Sequence, residues 1–443
     1  MNAPRSAADR GRPECLILVS VDGLAAGDYS LLRELPAFRR LMETGARVRR
    51  VRGVYPTLTY PQHASLVTGT YPDIHGITAN TRLEPEENGP HWFWYRRNLR
   101  VPTLYDAAAS AGLRTATLFW PSAGGRHSAR VLPEIIPVRP GEHLFSLVLQ
   151  AGSPRFVLGM LLRYGYLLRG LRRRNLDNFT CACACRLIRR RSVDLLLLHL
   201  LDLDATRHRY GAASSEAREV LHQQDRRLAR ILAAVEHSGR SDRTAVVVTG
   251  DHGHRDVSAR IHINSALERA GLQVRGGAGA SRLVRWEAWA QACDGSARIR
   301  LSRREDAALR RRVAAALTAL QGDPANGIAR ILDRGQLLAL RAGEEADFAL
   351  EASPGYFFSS RSGPEVVTAA CPNYRAAHGY LPADDDYSAF FVAAGCGFRC
   401  GVELVKAGVV DLGTTLAHVL SLTLPAAEGR VLSELLTEKE RTL

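Results

Sequence analysis

The chain has 443 residues, 46% of them hydrophobic, and carries a formal net charge of +14 at pH 7. A hydrophobic fraction of this size supports a large buried core and excludes an intrinsically disordered chain. The length fits one large α/β domain that carries an insertion. The positive charge favours anionic partners such as phosphate esters, nucleic acid or acidic lipid, and a solvated arginine-rich surface remains an equal alternative.

The sequence shows no clear targeting or membrane-spanning segment. Residues 1–13 have no apolar stretch, so we expect a flexible N-terminus and no secretory signal. The apolar run at 156–169 is too short to span a bilayer; we expect a core helix there, with peripheral membrane contact through 156–174 as the alternative. The three cysteines in "CACAC" (181–185) lack zinc-knuckle spacing and are expected to be buried thiols in a helix. These features together predict a cytoplasmic chain without disulfides.

Apolar runs alternate with amphipathic segments along the first 264 residues. The predicted elements, in chain order, are a strand at 15–24, a helix at 35–46, a helix broken by Gly69, a helix and then a strand within 101–121, a strand at 193–204, a helix at 215–239 and a strand at 243–254. This alternation predicts an α/β fold with a mostly parallel central sheet and helices on both faces.

The pattern changes between residues 265 and 365, where a strand-like segment precedes a long arginine-rich helix. We interpret this interval as an inserted, smaller α+β cap. Strand-like patterns return near 387–395, and 409–425 resembles a closing helix. The predicted organisation is a flexible N-terminus at 1–13, a catalytic domain at 14–264 and 366–443, and the cap at 265–365.

Three of the predicted strands end in an aspartate: Asp22, Asp204 and Asp251. Ligands of open α/β sheets bind beyond the carboxyl ends of the strands, so these side chains are expected to meet at one edge of the sheet. Like charges cannot stay close together without a compensating cation. The aspartates therefore predict a metal site.

Histidines accompany these aspartates. His208 follows Asp204 by one helical turn, His252 follows Asp251 directly, and His378 stands in "AHGY". Any one of them could be a hydrogen-bonded core residue, but the whole set would then require several coincidences. This mixture of oxygen and nitrogen ligands suits zinc, with manganese or iron as poorer matches.

Five motifs in this order resemble the alkaline phosphatase superfamily and, within it, the nucleotide pyrophosphatase/phosphodiesterase family. They are "VSVDG", "YPTLTYPQHASLVTGTYPDIHGITAN", "LDATRH", "GDHGH" and "AAHGY". They run from residue 20 to about 380, and "VVDLGTTLAHVLSLTLPAAEGRVL" resembles the usual ending of that fold. The resemblance implies an alkaline phosphatase-like fold, a small anionic phosphate-ester substrate, and hydrolysis of phosphodiester or nucleotide pyrophosphate bonds.

The resemblance also implies roles for individual residues. Thr59 takes the position of the nucleophile, and Thr57 is expected to be structural. Asn80 matches an asparagine that donates a hydrogen bond to a phosphoryl oxygen, with a turn asparagine as the alternative. The implied metal ligands are Asp22, Thr59, Asp251 and His252 for one zinc ion, and Asp204, His208 and His378 for the other.

The sequence departs from the family pattern in several places. Tyr60 replaces the commoner phenylalanine and forms either a wall of a substrate pocket or part of the core. "LDLDATRH" lacks the usual proline and glycine, so Asp202 competes with Asp204 as a ligand. His254 and Asp256 are expected to face solvent in a loop.

Other functions remain open. Within the superfamily, a phosphonoacetate hydrolase-like C–P hydrolase or a phosphomonoesterase would share this site, whereas mutase-like enzymes resemble a serine-centred motif. A non-catalytic anion- or membrane-surface-binding protein is a further alternative. The aromatic and arginine cluster "HWFWYRR" (91–97) could stack a base or form a hydrophobic lid. No signature predicts sequence-specific nucleic-acid binding, and the sequence gives no oligomeric state.

Overall fold

The computed structural model of the protein describes residues 12–85, 89–125, 128, 130–170, 172–276, 282–363, 365–383, 385 and 387–438. The predicted flexible N-terminus therefore lies largely outside the described residues. The strands are β1 (Cys15–Val21), β2 (Gly45–Arg52), β3 (Thr115–Leu118), β4 (Val131–Leu132), β5 (Leu195–Leu200), β6 (Thr244–Thr249), β7 (Arg255–His262), β8 (Gln273–Gly276), β9 (Arg282–Trp286), β10 (Ala288–Cys293), β11 (Ser296–Leu301), β12 (Ile328–Asp333), β13 (Phe348–Ala352), β14 (Gly355–Ser359), β15 (Val367–Ala369), β16 (Ala376–Ala377), β17 (Ala389–Gly395) and β18 (Glu403–Gly408). The α-helices are α1 (Tyr29–Leu32), α2 (Pro36–Thr44), α3 (Thr59–Thr68), α4 (Pro72–His75), α5 (Leu104–Ser110), α6 (Leu144–Ala151), α7 (Pro154–Tyr164), α8 (Arg173–Arg189), α9 (Asp202–Tyr210), α10 (Ser215–His237), α11 (Ile263–Arg269), α12 (Ala307–Gly322), α13 (Arg334–Ala339) and α14 (Val409–Val419).

One eight-stranded sheet forms the centre of the fold. Its strand order is β18-β2-β17-β6-β1-β5-β3-β4. All neighbouring strands run parallel except at β17, which is antiparallel to both β2 and β6. The apolar runs of β1, β5 and β6 are completely buried, as expected for parallel strands covered on both faces.

Helices cover both faces of this sheet. In β1, Ile17 and Val19 pack in one core with α2, α8 and α10, whereas Leu16 and Leu18 pack in a second core with α3, α5 and α14. This alternation follows from the period of two in a strand, which sends successive side chains to opposite faces. The predicted α/β fold with a mostly parallel, doubly covered sheet is confirmed.

Smaller sheets are built from the chain between β7 and β16. The strands β10, β11, β13 and β12 form one antiparallel sheet, β7 pairs with β14, β15 and β16 in another, and β8 pairs with β9. The first two of these sheets share a separate apolar core with α11 and α12. The predicted cap interval, 265–365, lies within this part of the chain, and the domain boundaries themselves remain a prediction.

Two predicted elements differ from the structure. The apolar run at 156–169 is not a core helix: in α7 only Val157 and Met160 are buried, and Leu162 is 86% exposed. Strand β5 ends at Leu200, so Asp204 lies in the first turn of the following helix and not at a strand end. The three cysteines of 181–185 are buried in α8, as predicted. Among the described residues, no helix is long and apolar enough to cross a membrane.

Candidate active site

The carboxyl ends of three neighbouring strands, β6, β1 and β5, carry the predicted acidic residues. Asp22 follows β1 directly and Asp251 follows β6 after one glycine, while Asp204 lies in the first turn of α9, after β5. The loops are tied together, because Asp251 Oδ1 accepts a hydrogen bond from the Gly23 backbone N–H at 2.9 Å. The sheet therefore brings acidic residues distant in sequence to one edge.

One half of the site surrounds His252. Its Nε2 lies 3.3 Å from Asp251 Oδ2 and 3.5 Å from Asp22 Oδ1. The hydroxyl oxygen of Thr59 is 3.4 Å from the same nitrogen. The structure thus brings together the four residues expected to hold one of the two ions.

The other half surrounds Asp204 Oδ1. His254 Nε2 lies 3.0 Å from this oxygen, His208 Nε2 lies 3.2 Å from it and His378 Nε2 lies 3.7 Å from it. The ring of His378 stacks on that of His252 with centroids 3.8 Å apart, so the two halves adjoin. Asp22, Asp204 and His252 also offer ligand atoms within 4.8 Å of one another.

Backbone carbonyls fix the orientation of two of these imidazoles. His208 Nδ1 lies 2.8 Å from Ala376 O, and His378 Nδ1 lies 3.0 Å from Thr57 O. A carbonyl oxygen can only accept a hydrogen bond, so each Nδ1 carries a proton and donates it. Each Nε2 is then directed toward Asp204, the arrangement typical of metal-ligating histidines.

Burial and mutual repulsion disfavour negative charge at two of the aspartates. Burial, with added repulsion from Asp251 and Asp204, raises the pKa of Asp22 well above its usual value. Burial likewise raises the pKa of Asp251. A cation between these carboxylates would relieve both the lost solvation and the repulsion.

In the second half of the site, the pKa of the carboxylate is lowered and not raised. Burial alone would raise the pKa of Asp204, but His208 and His254 outweigh it and hold this pKa well below the usual value. Burial lowers the pKa of His254 and of His378 to about 3, so these two rings are neutral near pH 7 and can donate a lone pair to a metal.

Unsatisfied polar atoms test whether a metal fits here. Asp22 Oδ1 and Asp251 Oδ2 are buried and have no hydrogen-bond partner within the part of the chain that the structure describes. Buried carboxylate oxygens are normally paired or coordinate a metal. Three carboxylates, four imidazoles and one hydroxyl in one cluster fit a pair of divalent cations with oxygen and nitrogen ligands, which is the donor set that zinc accepts.

Thr59 is the first residue of α3, whose ten residues are all buried. Hydrogen bonds hold its polar side chains His63 and Gln62. His63 Nδ1 donates to Thr59 O at 2.7 Å, and His63 Nε2 accepts from Ser20 Oγ at 2.8 Å. Gln62 forms two hydrogen bonds to the backbone of Val54. These contacts lock the first turn of the helix and hold the Thr59 hydroxyl at the site.

Asn80 and Tyr60 lie next to this turn. Asn80 Oδ1 accepts a hydrogen bond from the Tyr60 backbone N–H at 3.1 Å, which leaves the Asn80 amide N–H groups to donate elsewhere. Tyr60 is buried, and its ring packs edge-on against Trp92 with centroids 5.5 Å apart. Thr57 is structural, as predicted, since its hydroxyl donates to Tyr380 O at 2.9 Å.

The sequence profile of the family described as "Type I phosphodiesterase / nucleotide pyrophosphatase" matches residues 16–381. The chain belongs to this family.

Named relatives of this type I phosphodiesterase family member are distant. Ectonucleotide pyrophosphatase/phosphodiesterase family member 1 of Homo sapiens is 25% identical over 281 residues, which cover 60% of this chain and 26% of that protein. The bis(5'-adenosyl)-triphosphatase of Bos taurus is 25% identical over 272 residues, covering 60% of this chain and 52% of that protein. The match thus spans about a quarter to a half of these relatives' length.

Solved structures show the same fold. Murine ectonucleotide pyrophosphatase/phosphodiesterase 5 superposes with a TM-score of 0.65 at 18% identity, covering 96% of this chain and 100% of that one. An inactive variant of that murine protein in complex with AMP gives the same TM-score and covers 99% of its own chain.

One prediction about this family member's site is wrong. His254 does not face solvent: its side chain is buried, and it approaches Asp204 as closely as any predicted ligand does. Asp256 is exposed but belongs to β7, where its Oδ1 accepts from the Ala212 backbone N–H at 2.7 Å. Asp202 joins none of the described metal-ligand groups.

Sequence reasoning missed two further residues. His199 Nε2 lies 3.2 Å from Asp22 Oδ2, and its Nδ1 lies 3.5 Å from Glu134 Oε2. Burial opposes charge on His199, but Asp22 and Glu134 outweigh it and raise its pKa well above the usual value. His63 Nδ1 also lies 3.7 Å from Asp251 Oδ2, but both ring nitrogens of His63 are already hydrogen-bonded to other groups. A histidine inside the apolar run of β5 was the available signal for His199.

Proposed function

We propose that the protein is a metal-dependent hydrolase of phosphodiester or nucleotide pyrophosphate bonds, with Thr59 as the nucleophile and two zinc ions as cofactors. The single observation that carries this proposal is the position of the Thr59 hydroxyl, 3.4 Å from His252 Nε2 and beside the buried carboxylates of Asp22 and Asp251. Membership of the type I phosphodiesterase family supports the reaction class. The relatives named for nucleotide pyrophosphates, and the murine complex with AMP, support a nucleotide as one substrate class.

The proposed ligands divide between the two halves of the site. Asp22, Thr59, Asp251 and His252 would hold one ion. Asp204, His208 and His378 would hold the other, and His254 joins this set because its Nε2 is 3.0 Å from Asp204 Oδ1. When bound, such ions act as Lewis acids that favour the alkoxide of a hydroxyl and neutralise phosphoryl charge.

The residues of the chain perform the remaining steps. The Thr59 oxygen attacks phosphorus, the P–O bond to the leaving group breaks, and the phosphoryl group becomes covalently attached to Thr59. Water then cleaves the bond between Thr59 and phosphorus and regenerates the hydroxyl. Asn80 would donate from its amide to a non-bridging phosphoryl oxygen, since its own oxygen is held by the Tyr60 N–H. The N-terminus of α3 adds a favourable potential for the anion.

The test is the pair Thr59→Ala and Thr59→Ser. We expect the alanine variant to lose turnover of bis-p-nitrophenyl phosphate while still binding metal, because the other ligands remain. The serine variant keeps a hydroxyl at the same place and should retain measurable turnover. Turnover by the alanine variant at the wild-type level would show that Thr59 is not the nucleophile.

A rate comparison on the zinc-loaded protein then ranks the substrates. A phosphomonoester, a phosphodiester, a nucleotide pyrophosphate and a phosphonate are compared by kcat/KM under identical conditions. We expect the diester or the pyrophosphate to lead. A leading phosphonate would instead support the C–P hydrolase alternative. Cytoplasmic location and membrane contact through 156–174 remain predictions.

A further inference from the structure

Exposed large apolar side chains are concentrated in α6, α7 and the segments next to them. The described part of the chain exposes ten such side chains, and five of them fall between residues 136 and 166: Ile136, Phe145, Leu158, Leu162 and Tyr166. The other five are spread between residues 210 and 405. Singly exposed apolar residues are normal on any protein surface, whereas a concentration of them marks an interaction surface.

The centre of this surface is a row of three side chains that starts in α7 and continues into the 3₁₀ turn after it. Leu158, Leu162 and Tyr166 follow one another at intervals of four residues, the spacing of one helix face, and they are 41%, 86% and 64% exposed. On the opposite face of α7, Val157 and Met160 are buried in the core that contains α2, α8 and α10. The helix is therefore held from its inner side and presents an apolar row to solvent.

The chain around this row is basic. Residues 143–176, the basic segment, contain six arginines and neither aspartate nor glutamate. Arg155 lies three residues before the row and Arg169 three residues after it, so each end of the row carries a cation. All six arginines are exposed, and none forms an ion pair with a carboxylate among the described residues; they are Arg155, Arg163, Arg169, Arg172, Arg173 and Arg174. The chain itself therefore leaves their positive charge uncompensated.

An anionic lipid bilayer satisfies both features of this surface. Its interface takes up the apolar side chains of a helix that lies in the membrane plane, while lipid phosphates pair with the cations beside them. The long arginine side chain reaches the headgroups while its apolar neighbours lie deeper, and tyrosine is enriched at the same interface. Nucleic acid would pair with the arginines but offers no apolar medium for the leucines. An acidic protein would need a groove shaped for the protruding row, which a fluid bilayer does not need.

We propose that this surface docks the protein peripherally on anionic lipid bilayers. Leu158, Leu162 and Tyr166 enter the interface, and the six arginines pair with the lipid phosphates around them. Helix α7 lies in the plane of the membrane and does not cross it, because it has only 11 residues. The docking needs no catalysis, so it holds or fails independently of the proposed hydrolase.

The test is cosedimentation of the full chain with vesicles of phosphatidylcholine, alone and with roughly one third phosphatidylglycerol. We expect binding to the anionic vesicles to be at least about tenfold tighter than to the neutral ones. It should weaken as the salt concentration is raised from about 0.1 M to about 1 M, because salt screens the arginines. Equal affinity for the two kinds of vesicle, or binding to neither, would overturn the proposal.

Leu162 and Leu338 provide a matched pair of substitutions. Both are exposed leucines in helices, α7 and α13, but Leu338 lies outside the basic segment. Leu162→Ser should weaken binding to the anionic vesicles about tenfold, because one inserted apolar side chain is lost. Leu338→Ser should leave the affinity unchanged, and a thermal unfolding scan checks that both variants fold. Wild-type affinity in the Leu162→Ser variant would overturn the proposal.

Two triple variants separate the local charge from the total charge. The first removes three arginines of the basic segment, through Arg169→Gln, Arg172→Gln and Arg174→Gln. The second removes three exposed arginines from the chain between β7 and β16, through Arg285→Gln, Arg311→Gln and Arg330→Gln. The first should weaken binding to the anionic vesicles about 100-fold, and the second less than about threefold. Equal losses would mean attraction by the overall charge of the chain and would overturn the proposal.

A tryptophan placed in the row reports whether the row enters the lipid. On anionic vesicles with bromine-labelled acyl chains, Leu162→Trp should lose more fluorescence than the wild type, because bromine quenches tryptophan only at close contact. Leu338→Trp is the control and should lose no more than the wild type. Binding without extra quenching at position 162 would mean electrostatic adsorption alone and would overturn the proposal.

A dissolved polyanion distinguishes the bilayer from an acidic protein surface. Polyglutamate offers carboxylates but no apolar interface. We expect it to bind the wild type more weakly than the anionic vesicles do, and Leu162→Ser to leave that weak binding unchanged. Polyglutamate binding as tight as vesicle binding would identify an acidic protein as the occupant of this surface and would overturn the proposal.

Discussion

Glu351 provides a sharp test of how the smaller sheets support the site. It lies buried in β13, and its Oε2 accepts a hydrogen bond at 2.9 Å from the Leu381 backbone N–H, three residues after His378. Its other oxygen has no hydrogen-bond partner among the described residues. We predict that Glu351→Gln, which keeps an acceptor for Leu381 and removes the charge, stabilises the protein at alkaline pH.

The magnitude follows from the shift in its pKa. Burial raises the pKa of Glu351 from 4.5 to about 8. This difference corresponds to about 5 kcal/mol between the two protonation states. Because the folded-state pKa is the higher one, the unfolded chain binds fewer protons between these values. The contribution of Glu351 to the free energy of unfolding is therefore fully present below pH 4.5. It is lost as the pH rises to about 8, at about 1.4 kcal/mol per pH unit.

The assay is urea unfolding of the wild type and Glu351→Gln at several pH values between 5 and 9, compared as a difference. The pH dependence of the metal site is common to both proteins and cancels. Glu305→Gln, at an exposed glutamate before α12, removes the same charge without touching a buried group and is the control. Parallel profiles for wild type and Glu351→Gln, or a less stable variant at pH 8, would refute the reasoning.

Three further predictions concern the metal site. Asp204→Ala should reduce bound zinc from about two ions per chain to about one, measured by metal analysis after gel filtration; an unchanged content would mean that Asp204 is not a ligand. His254→Ala should weaken zinc binding about 10- to 100-fold, measured by competition with a chromophoric chelator. Zinc affinity equal to that of the wild type would mean that His254 only packs against the site. Asn80→Ala should lower kcat by about 10²- to 10³-fold with metal content intact, because a donor to the phosphoryl oxygen is lost; a change confined to KM would argue against that role.

Much of the site could be predicted because it depends on local sequence at strand ends. The acidic residues after β1 and β6 follow buried apolar runs, and a parallel sheet places such ends together. The spacing of Asp204 and His208 requires only one helical turn, so it predicted their contact although the predicted end of the preceding strand was wrong. The same spacing favours Asp204 over Asp202, and Asp204 is the one that joins the described metal-ligand groups.

The errors have a common physical origin, since burial is a property of tertiary packing. His254 follows a glycine in what reads as a polar loop, and groups from distant segments, among them Asp204 and His378, enclose it. The run at 156–169 has the composition of a core helix, but in α7 only Val157 and Met160 are buried, and a cavity borders part of the run. Neither the enclosure of a loop nor the absence of a neighbour can be seen in the periodicity of one segment.

Strand β17 lies beside β6 in the central sheet although about 140 residues separate them, and the cluster around Asp204 likewise draws His254 and His378 from within this interval. During synthesis, β6 cannot pair with β17 until most of the chain has been made. Closing so long a segment costs conformational entropy, and this cost is offset only when the two strands have paired. The central sheet, and with it the edge where the proposed ligands meet, should therefore be completed late in synthesis.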